Sequence, residues 1–202
     1  MIDFLKRWFD RLPIAPDKRE VFNLPNTISM LRLGVIPVLF LLLLSPGPVM
    51  SLVIAVLFIA AALTDLMDGY IARKYEIVTT MGKFLDPIAD KLIVNTAMIL
   101  MIPIGRIPAW VVAIIVIRDF AVDGMRNIAS SAGIVIQASL LGKRKTLCQI
   151  FALSALMIHY SFLGLDAQLI GTVILYIALI MTVISGWDYF RKFYRIVIKK
   201  VS

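Results

Sequence analysis

The chain has 202 residues, 60% of them hydrophobic, with one cysteine and a formal net charge of +8. Because a soluble domain of this size is nearer to half apolar, the composition predicts a single membrane domain; the lone cysteine excludes an intrachain disulfide and a cysteine-based metal cluster. The basic excess has no soluble face for nucleic acid, so anionic lipid headgroups are its expected partner.

Residues 1–25 are predicted to form an interfacial helix and a connector. Over residues 1–12, apolar side chains such as Trp8 and Phe9 recur at helical spacing, and the charged side chains lie largely on the other side. This pattern is typical of an interfacial amphipathic helix. A polar connector that contains prolines follows and leads into the remaining domain.

Residues 26–202 are predicted to form an all-α polytopic membrane domain with six transmembrane helices. Each predicted span has roughly 20 mostly apolar residues, which is the length that crosses a bilayer. Glycine and proline lie at the joints, where they favour helix ends. The spans are Asn26–Leu44, Val49–Tyr70, Phe84–Ile104, Pro108–Ala132, Lys145–Leu163 and Leu169–Tyr189.

The charged residues predict the orientation of these spans. If the spans alternate in direction, one side takes every lysine and arginine except Arg106 and every acid except Asp166. Positively charged residues favour the cytoplasmic side. We therefore expect both termini and the chemistry at the cytoplasmic face of a cell membrane. Residues predicted to be interfacial anchors near the span ends are Trp110, Tyr160, Trp187 and Tyr189.

Four aspartates at the end of span two and the start of span three form the strongest candidate site. Asp65 and Asp68 are three residues apart and share a helix face, as do Asp86 and Asp90, which are four apart. Because buried carboxylates are costly without a partner, the two pairs are predicted to converge on a hard divalent cation. Carboxylate oxygens suit magnesium, manganese or calcium better than zinc.

Small residues continue the stripe that begins with Asp65 and Asp68. Gly69 and Ala72 leave a shallow groove, and Arg73 follows, where it can neutralise phosphate oxygens. Metal, groove and arginine together describe a site for a metal-bound nucleotide diphosphate. Two other interpretations remain: acids that cap helices or pair with lysines, and an ion path through a divalent-cation transporter.

These residues match the signature of the CDP-alcohol phosphotransferase family, D-x2-D-G-x2-A-R-x8-G-x3-D-x3-D, at all eight fixed positions, the sixth of which is Gly82. The chain therefore resembles that family over essentially its whole length. The resemblance implies a homodimeric membrane enzyme that uses Mg²⁺ or Mn²⁺. It implies that Asp65, Asp68 and Asp86 ligate metal, and that Asp90 is the general base and a possible fourth ligand. The residues that it assigns to the CDP group are Asp68, Gly69, Ala72, Arg73 and Gly82.

A second set of charges is predicted to bind an acceptor alcohol that carries its own phosphate. Basic residues inside a membrane helix usually face a polar cavity, and the run from Lys143 to Thr146 is expected to open a helix, where an anion is favoured. Structural pairing of Arg126 with Asp119 and Asp123, and contact of Arg144 with lipid headgroups, are the alternatives. The candidate phosphate-binding residues are Arg118, Arg126, Lys143, Arg144 and Lys145.

The acceptor itself is predicted by resemblance. The Arg118–Asp119 pair and the G-K-x-K-T segment at residues 142–146 are similar to those of bacterial phosphatidylglycerolphosphate synthases, although a glutamate is expected where Asp119 stands. The implied reaction transfers the phosphatidyl group of CDP-diacylglycerol to glycerol 3-phosphate. An inositol phosphate is the alternative acceptor, because it also carries a phosphate.

Overall fold

The structure, a computed structural model, describes residues 24–44, 46–74, 80–134, 136, 140–162 and 164–198. Within these ranges it describes only the backbone of residues 24–29, 65–74, 80–90, 140, 143, 162, 197 and 198. The predicted interfacial helix over residues 1–12 and most of its connector lie outside the described residues.

Six long α-helices make up nearly all of the described chain, and each overlaps one of the predicted spans. The helices are α1 (Leu24–Leu43), α2 (Pro48–Lys74), α3 (Thr80–Met101), α4 (Ala109–Ser131), α5 (Leu140–Ile158) and α6 (Ala167–Phe193). The chain leaves α6 through a π-helical turn, Tyr194–Ile198. The predicted all-α class is therefore confirmed for this part of the chain.

The joint between α5 and α6 differs from its prediction. The fifth span was expected to continue to Leu163, but α5 ends at Ile158. A two-residue antiparallel hairpin follows, in which β1 (Ser161–Phe162) pairs with β2 (Leu165–Asp166). Gly164 turns the hairpin with a φ of 78°, a left-handed conformation that glycine adopts without a Cβ penalty. The Asp166 carboxylate then caps α6 by accepting a hydrogen bond from the Leu169 amide at 3.0 Å.

The helices enclose one main apolar core. α5 packs most extensively against α6, α1 contacts α2 and α3, α2 contacts α5, and α4 contacts α6. Gly171 of α6 allows a close approach to α5, because a Cβ there would lie 2.7 Å from Leu156 Cγ and 2.9 Å from the Leu156 amide nitrogen. Fully buried side chains such as Phe58, Met98 and Ile115 fill the space between the helices.

Arg106 ties one end of the bundle together. This residue is 3% exposed, and its Nη1 donates to the carbonyl oxygens of Leu156 at 3.4 Å and Met157 at 2.7 Å. Its Nη2 donates to Ser51 Oγ at 2.8 Å. The guanidinium thereby satisfies carbonyl groups that α5 leaves without intrahelical donors at its carboxyl end. These contacts join the start of α2, the α3–α4 joint and the end of α5, so the joints predicted to face away from the cytoplasm meet at one end.

The helical surfaces are strongly apolar. Many large side chains, including Leu41, Phe151 and Trp187, are more than half exposed. One helical stretch in the described residues, Ala167–Ile196, is long and apolar enough to cross a bilayer by length and composition. Shorter apolar helical stretches of the described chain are Met30–Leu43, Pro48–Thr64 and Lys91–Met101.

Candidate active site

The four signature aspartates lie on two helices at the end of the bundle opposite Arg106. The backbone is helical throughout the carboxyl-terminal part of α2, which carries Asp65 and Asp68, and throughout the amino-terminal part of α3, which carries Asp86 and Asp90. The helical spacings within each pair are therefore confirmed. The side chains of these residues are outside the description, so the convergence of the two pairs stays a prediction.

The residues predicted to border the CDP group lie on the same two helix segments. Gly69, Ala72 and Arg73 fall within the last turns of α2, and the stripe that they form with the first aspartates is continuous helix. Gly82, expected in the joint, instead lies in the first turn of α3, which begins at Thr80. Their contact with a nucleotide remains a prediction.

A buried ion cluster lies beside this end. The Asp119 Oδ1 accepts a hydrogen bond from Arg118 Nη1 at 3.0 Å and also pairs with Lys145 Nζ. The three side chains are only 15% exposed for Arg118, 12% for Asp119 and 6% for Lys145. Two of the predicted phosphate-binding residues, from α4 and α5, are thus brought together on one carboxylate, and Asp119 has both of them as partners instead of Arg126.

Helix α6 supplies the remaining contacts of Arg118. Arg118 Nε donates to the Thr182 carbonyl oxygen at 3.0 Å, and Arg118 Nη2 donates to Ser185 Oγ at 2.8 Å. Each guanidinium nitrogen therefore has one hydrogen bond to the protein. The neighbouring Gly186 provides room for the side chain, since a Cβ there would lie 2.9 Å from Arg118 Cγ.

A second ion group extends the cluster toward α3. Lys91 forms an ion pair with the Asp123 carboxylate of α4, and Arg126 Nη1 lies 3.9 Å from the other oxygen of that carboxylate. Lys91 directly follows Asp90 in α3, so this pair places the end of α3 that carries Asp86 and Asp90 beside α4.

These residues form one electrostatic unit, which we call the basic cluster. Lys91 lies within electrostatic range of Arg118, Asp119, Arg126 and Lys145 as well as in contact with Asp123. The basic cluster contains four cations, Lys91, Arg118, Arg126 and Lys145, and two acids, Asp119 and Asp123. Over these six side chains, which the structure describes, the net charge is +2, and it favours an anionic ligand.

Of the other predicted phosphate-binding residues, Arg126 lies at the exposed edge of the basic cluster. The Arg126 side chain is 48% exposed, pairs only loosely with Asp123 and lies over the Tyr189 ring, with 5.8 Å from Cζ to the ring centroid. Arg144 is exposed on α5, and the side chain of Lys143 is outside the description. The prediction that Lys143 opens a helix is wrong, because the chain is already helical at Leu140. The anion preference here therefore rests on side-chain charge.

Several residues of this region were missed by reasoning from sequence. Ser185 and Gly186 lie in a strongly apolar helix, and only their position opposite Arg118 reveals their contact with it. Lys91 and Asp123 could have been paired from their unusual charge within predicted spans. Tyr189, predicted to be an interfacial anchor, is 5% exposed and packs with Val122 in a small second apolar cluster.

Comparisons with known proteins find relatives over most of the chain. A sequence model of the family described as CDP-alcohol phosphatidyltransferase matches residues 22–184. The CDP-diacylglycerol–glycerol-3-phosphate 3-phosphatidyltransferase of Bacillus subtilis (strain 168) is 43% identical over 184 residues, which cover 85% of this chain and 95% of the relative. The protein of the same name from Rickettsia bellii (strain RML369-C) is 40% identical over 172 residues, covering 84% and 94%.

A more distant relative also aligns with most of this chain. The probable phosphatidylglycerophosphate synthase of Mycobacterium tuberculosis (strain ATCC 25618 / H37Rv) is 35% identical over 175 residues, which cover 85% of this chain and 82% of the relative. The matches include both helix segments that carry the signature and extend through the residues of the basic cluster. This chain therefore belongs to the CDP-alcohol phosphatidyltransferase family.

Proposed function

We propose that this chain is a phosphatidyltransferase that moves the phosphatidyl group of CDP-diacylglycerol to glycerol 3-phosphate and releases CMP. Family membership supports the donor, and the names of the three relatives support the acceptor. The observation that carries the proposal is the net charge of the basic cluster, which lies beside the helix that bears Asp86 and Asp90.

The charge of the basic cluster matches a phosphorylated acceptor. A phosphate monoester carries a charge of about −2 at neutral pH, and the cluster has a net charge of +2. Serine, which has no net charge as a zwitterion, would leave this net charge of +2 without compensation, which is costly for the buried cations Arg118 and Lys145. We assign Arg118 and Lys145 to the acceptor phosphate, with Arg126, Lys143 and Arg144 at its edge.

The four aspartates fit a divalent cation. They lie in pairs on single faces of α2 and α3, on segments at the same end of the bundle as the basic cluster. Carboxylate oxygens are the ligands that Mg²⁺ and Mn²⁺ prefer, so we assign Asp65, Asp68, Asp86 and Asp90 to a metal site. When bound, the cation would neutralise charge on the phosphoryl oxygens and on the departing CMP.

The residues of the chain divide the reaction between them. Arg118 and Lys145 hold the acceptor phosphate, which directs the glycerol hydroxyl toward the aspartate end of α3. The Asp90 carboxylate takes the hydroxyl proton as the oxygen forms a bond to the phosphorus of the phosphatidyl group. The bond between that phosphorus and the CMP oxygen breaks, and CMP leaves. Gly69 and Ala72 border the cytidine groove, while Arg73 neutralises a donor phosphate.

The apolar helices support a membrane location for this enzyme. We propose that all six helices span a bacterial cell membrane, with both termini and the basic cluster on the cytoplasmic side and the Arg106 end on the opposite side. The exposed apolar side chains of the helices are then in contact with lipid, and CDP-diacylglycerol enters sideways from the bilayer. We further propose that the enzyme is a homodimer.

An acceptor panel tests this proposal. Purified protein is incubated with CDP-diacylglycerol and Mg²⁺, and CMP release is measured with glycerol 3-phosphate, inositol phosphate, inositol or serine as the acceptor. We expect turnover with glycerol 3-phosphate, loss of turnover when the divalent cation is chelated, and recovery when Mg²⁺ or Mn²⁺ is restored. Turnover with inositol phosphate alone would overturn the acceptor assignment, because that compound has the same phosphate but a different alcohol.

A further inference from the structure

We propose that Ser185 and Gly186 of α6 are positioning residues that hold Arg118 ready for the acceptor phosphate. This inference rests on the proposed function, because it gives Arg118 the role of binding that phosphate. It extends the acceptor site to α6, on which none of the candidate binding residues lies. We call the Thr182 carbonyl, Ser185 and Gly186 the α6 platform.

The hydrogen bonds of Arg118 fix the orientation of its guanidinium plane. Nε donates to the Thr182 carbonyl at 3.0 Å, Nη2 donates to Ser185 Oγ at 2.8 Å, and Nη1 donates to Asp119 Oδ1 at 3.0 Å. Ser185 Oγ in turn donates to the Thr182 carbonyl at 3.2 Å. The acceptor for Nη2 is therefore itself held in place by the helix backbone.

Gly186 sets the path of the Arg118 side chain across α6. A Cβ at Gly186 would lie 2.9 Å from Arg118 Cγ, 3.0 Å from Nε and 3.5 Å from Cδ. Contacts this short with the inner part of a side chain cannot be relieved by moving its end alone. Any larger residue at position 186 would therefore displace the guanidinium from the α6 platform.

This arrangement matters for binding because arginine is long and flexible. A side chain that is already ordered loses less rotamer freedom when the ligand arrives, so its contribution to affinity is larger. Asp119 fixes one edge of the guanidinium through charge, and the α6 platform fixes the edge that contains Nε and Nη2. The terminal nitrogens can donate further hydrogen bonds, which we assign to the acceptor phosphate.

The experiment compares two platform variants with two matched controls. Ser185→Ala removes the acceptor of Nη2, and its control is Ser154→Ala, which removes a buried helical hydroxyl that donates to the Ile150 carbonyl at 2.8 Å. Gly186→Ala adds the methyl group that meets Arg118, and its control is Gly124→Ala, where a Cβ would meet nothing within 4 Å.

Acceptor KM and donor KM are measured separately by CMP release. We expect Ser185→Ala to raise the KM for glycerol 3-phosphate about fivefold and Gly186→Ala to raise it about tenfold or more, with the KM for CDP-diacylglycerol unchanged within about twofold. Both control variants should keep the wild-type KM for each substrate. An unchanged acceptor KM in both platform variants, or an equal rise in both KM values, would overturn the proposal.

A double-mutant cycle identifies Arg118 as the residue through which the platform acts. In an Arg118→Ala background, Gly186→Ala should change kcat/KM for the acceptor by less than about twofold, because the displaced side chain is already gone. The same large loss in both backgrounds would show a general packing defect and would refute the positioning role.

The proposed function and the platform can fail separately. If the wild-type enzyme releases no CMP with glycerol 3-phosphate, the proposed acceptor is wrong. The platform is then tested by the rise in unfolding temperature that inorganic phosphate produces. That rise should be smaller in Ser185→Ala and Gly186→Ala than in their controls, and equal rises in all four variants would refute the platform.

Discussion

Replacing Lys145 by methionine tests the acceptor site most directly. Methionine is unbranched and similar in volume to the aliphatic part of lysine, so Lys145→Met removes the charge and keeps most of the packing. The Lys145 side chain is 6% exposed and pairs with Asp119. The variant lowers the net charge of the basic cluster from +2 to +1 and leaves Asp119 paired with Arg118.

We expect Lys145→Met to have a large effect on acceptor binding and a small effect on the stability of the fold. A hydrogen bond to a charged group contributes roughly 1.5–3 kcal/mol, which corresponds to a rise of roughly 10- to 150-fold in the KM for glycerol 3-phosphate. Stability should change by no more than about 1 kcal/mol, since the variant also removes the desolvation cost of a buried ammonium and leaves no acid unpaired. The KM for CDP-diacylglycerol should not change.

The assay is CMP release at varied glycerol 3-phosphate and saturating donor, followed by the converse titration and a thermal denaturation. The matched control is Lys192→Met, which removes a lysine paired with Asp188 at 2.8 Å, where the side chains are 46% and 43% exposed. Such exposed pairs contribute at most about 1 kcal/mol, so the control should retain both KM values. An unchanged acceptor KM in Lys145→Met would refute the assignment of the basic cluster to the acceptor phosphate.

Three further substitutions give distinct outcomes. Asp119→Asn leaves two buried cations without their shared carboxylate and should lower the free energy of unfolding by about 3 kcal/mol. Inorganic phosphate should restore part of this loss, as measured by thermal denaturation. Asp90→Asn should abolish CMP release without altering the unfolding temperature, and activity in this variant would remove Asp90 as the base. Its control, Asp166→Asn, should retain full activity because asparagine also caps a helix. Gly171→Ala should destabilise the protein by about 2 kcal/mol because its Cβ meets Leu156. Its control, Gly124→Ala, should stabilise α4 by about 0.5 kcal/mol. Equal unfolding temperatures in the two variants would contradict the close packing of Gly171 against Leu156.

The helices could be predicted because each needs only a local pattern. An apolar run of roughly 20 residues between glycine or proline predicts a helix whatever its neighbours are, and all six helices overlap their predicted spans. The ends were less accurate, because Gly82 and Gly142 were assigned to joints and lie inside helices. A glycine in the first turns of a helix is tolerated when other residues of the helix are packed against the bundle.

The cluster of charged side chains was predicted in kind and only partly in detail, and its role in binding the acceptor stays a prediction. The charges of Arg118 and Lys145 within apolar segments predicted a polar site, because such charges are costly elsewhere. Their shared use of Asp119 depends on how α4 and α5 are placed, which a local pattern does not contain. Likewise, Tyr189 has the composition and position of an interfacial anchor, yet packing against Val122 buries it.

Arg106 shows that the cost of a charge depends on what it touches. Counted as a loop residue, it opposes the asymmetry by which topology is predicted, since it lies at the end assigned to the outside. In the fold its guanidinium serves as a substitute for the amide donors that α5 lacks at its last carbonyls. An arginine enclosed in this way presents no charge to the lipid headgroups. Topology rules that weigh each basic residue equally will therefore count such a residue against the orientation that we propose for this bundle.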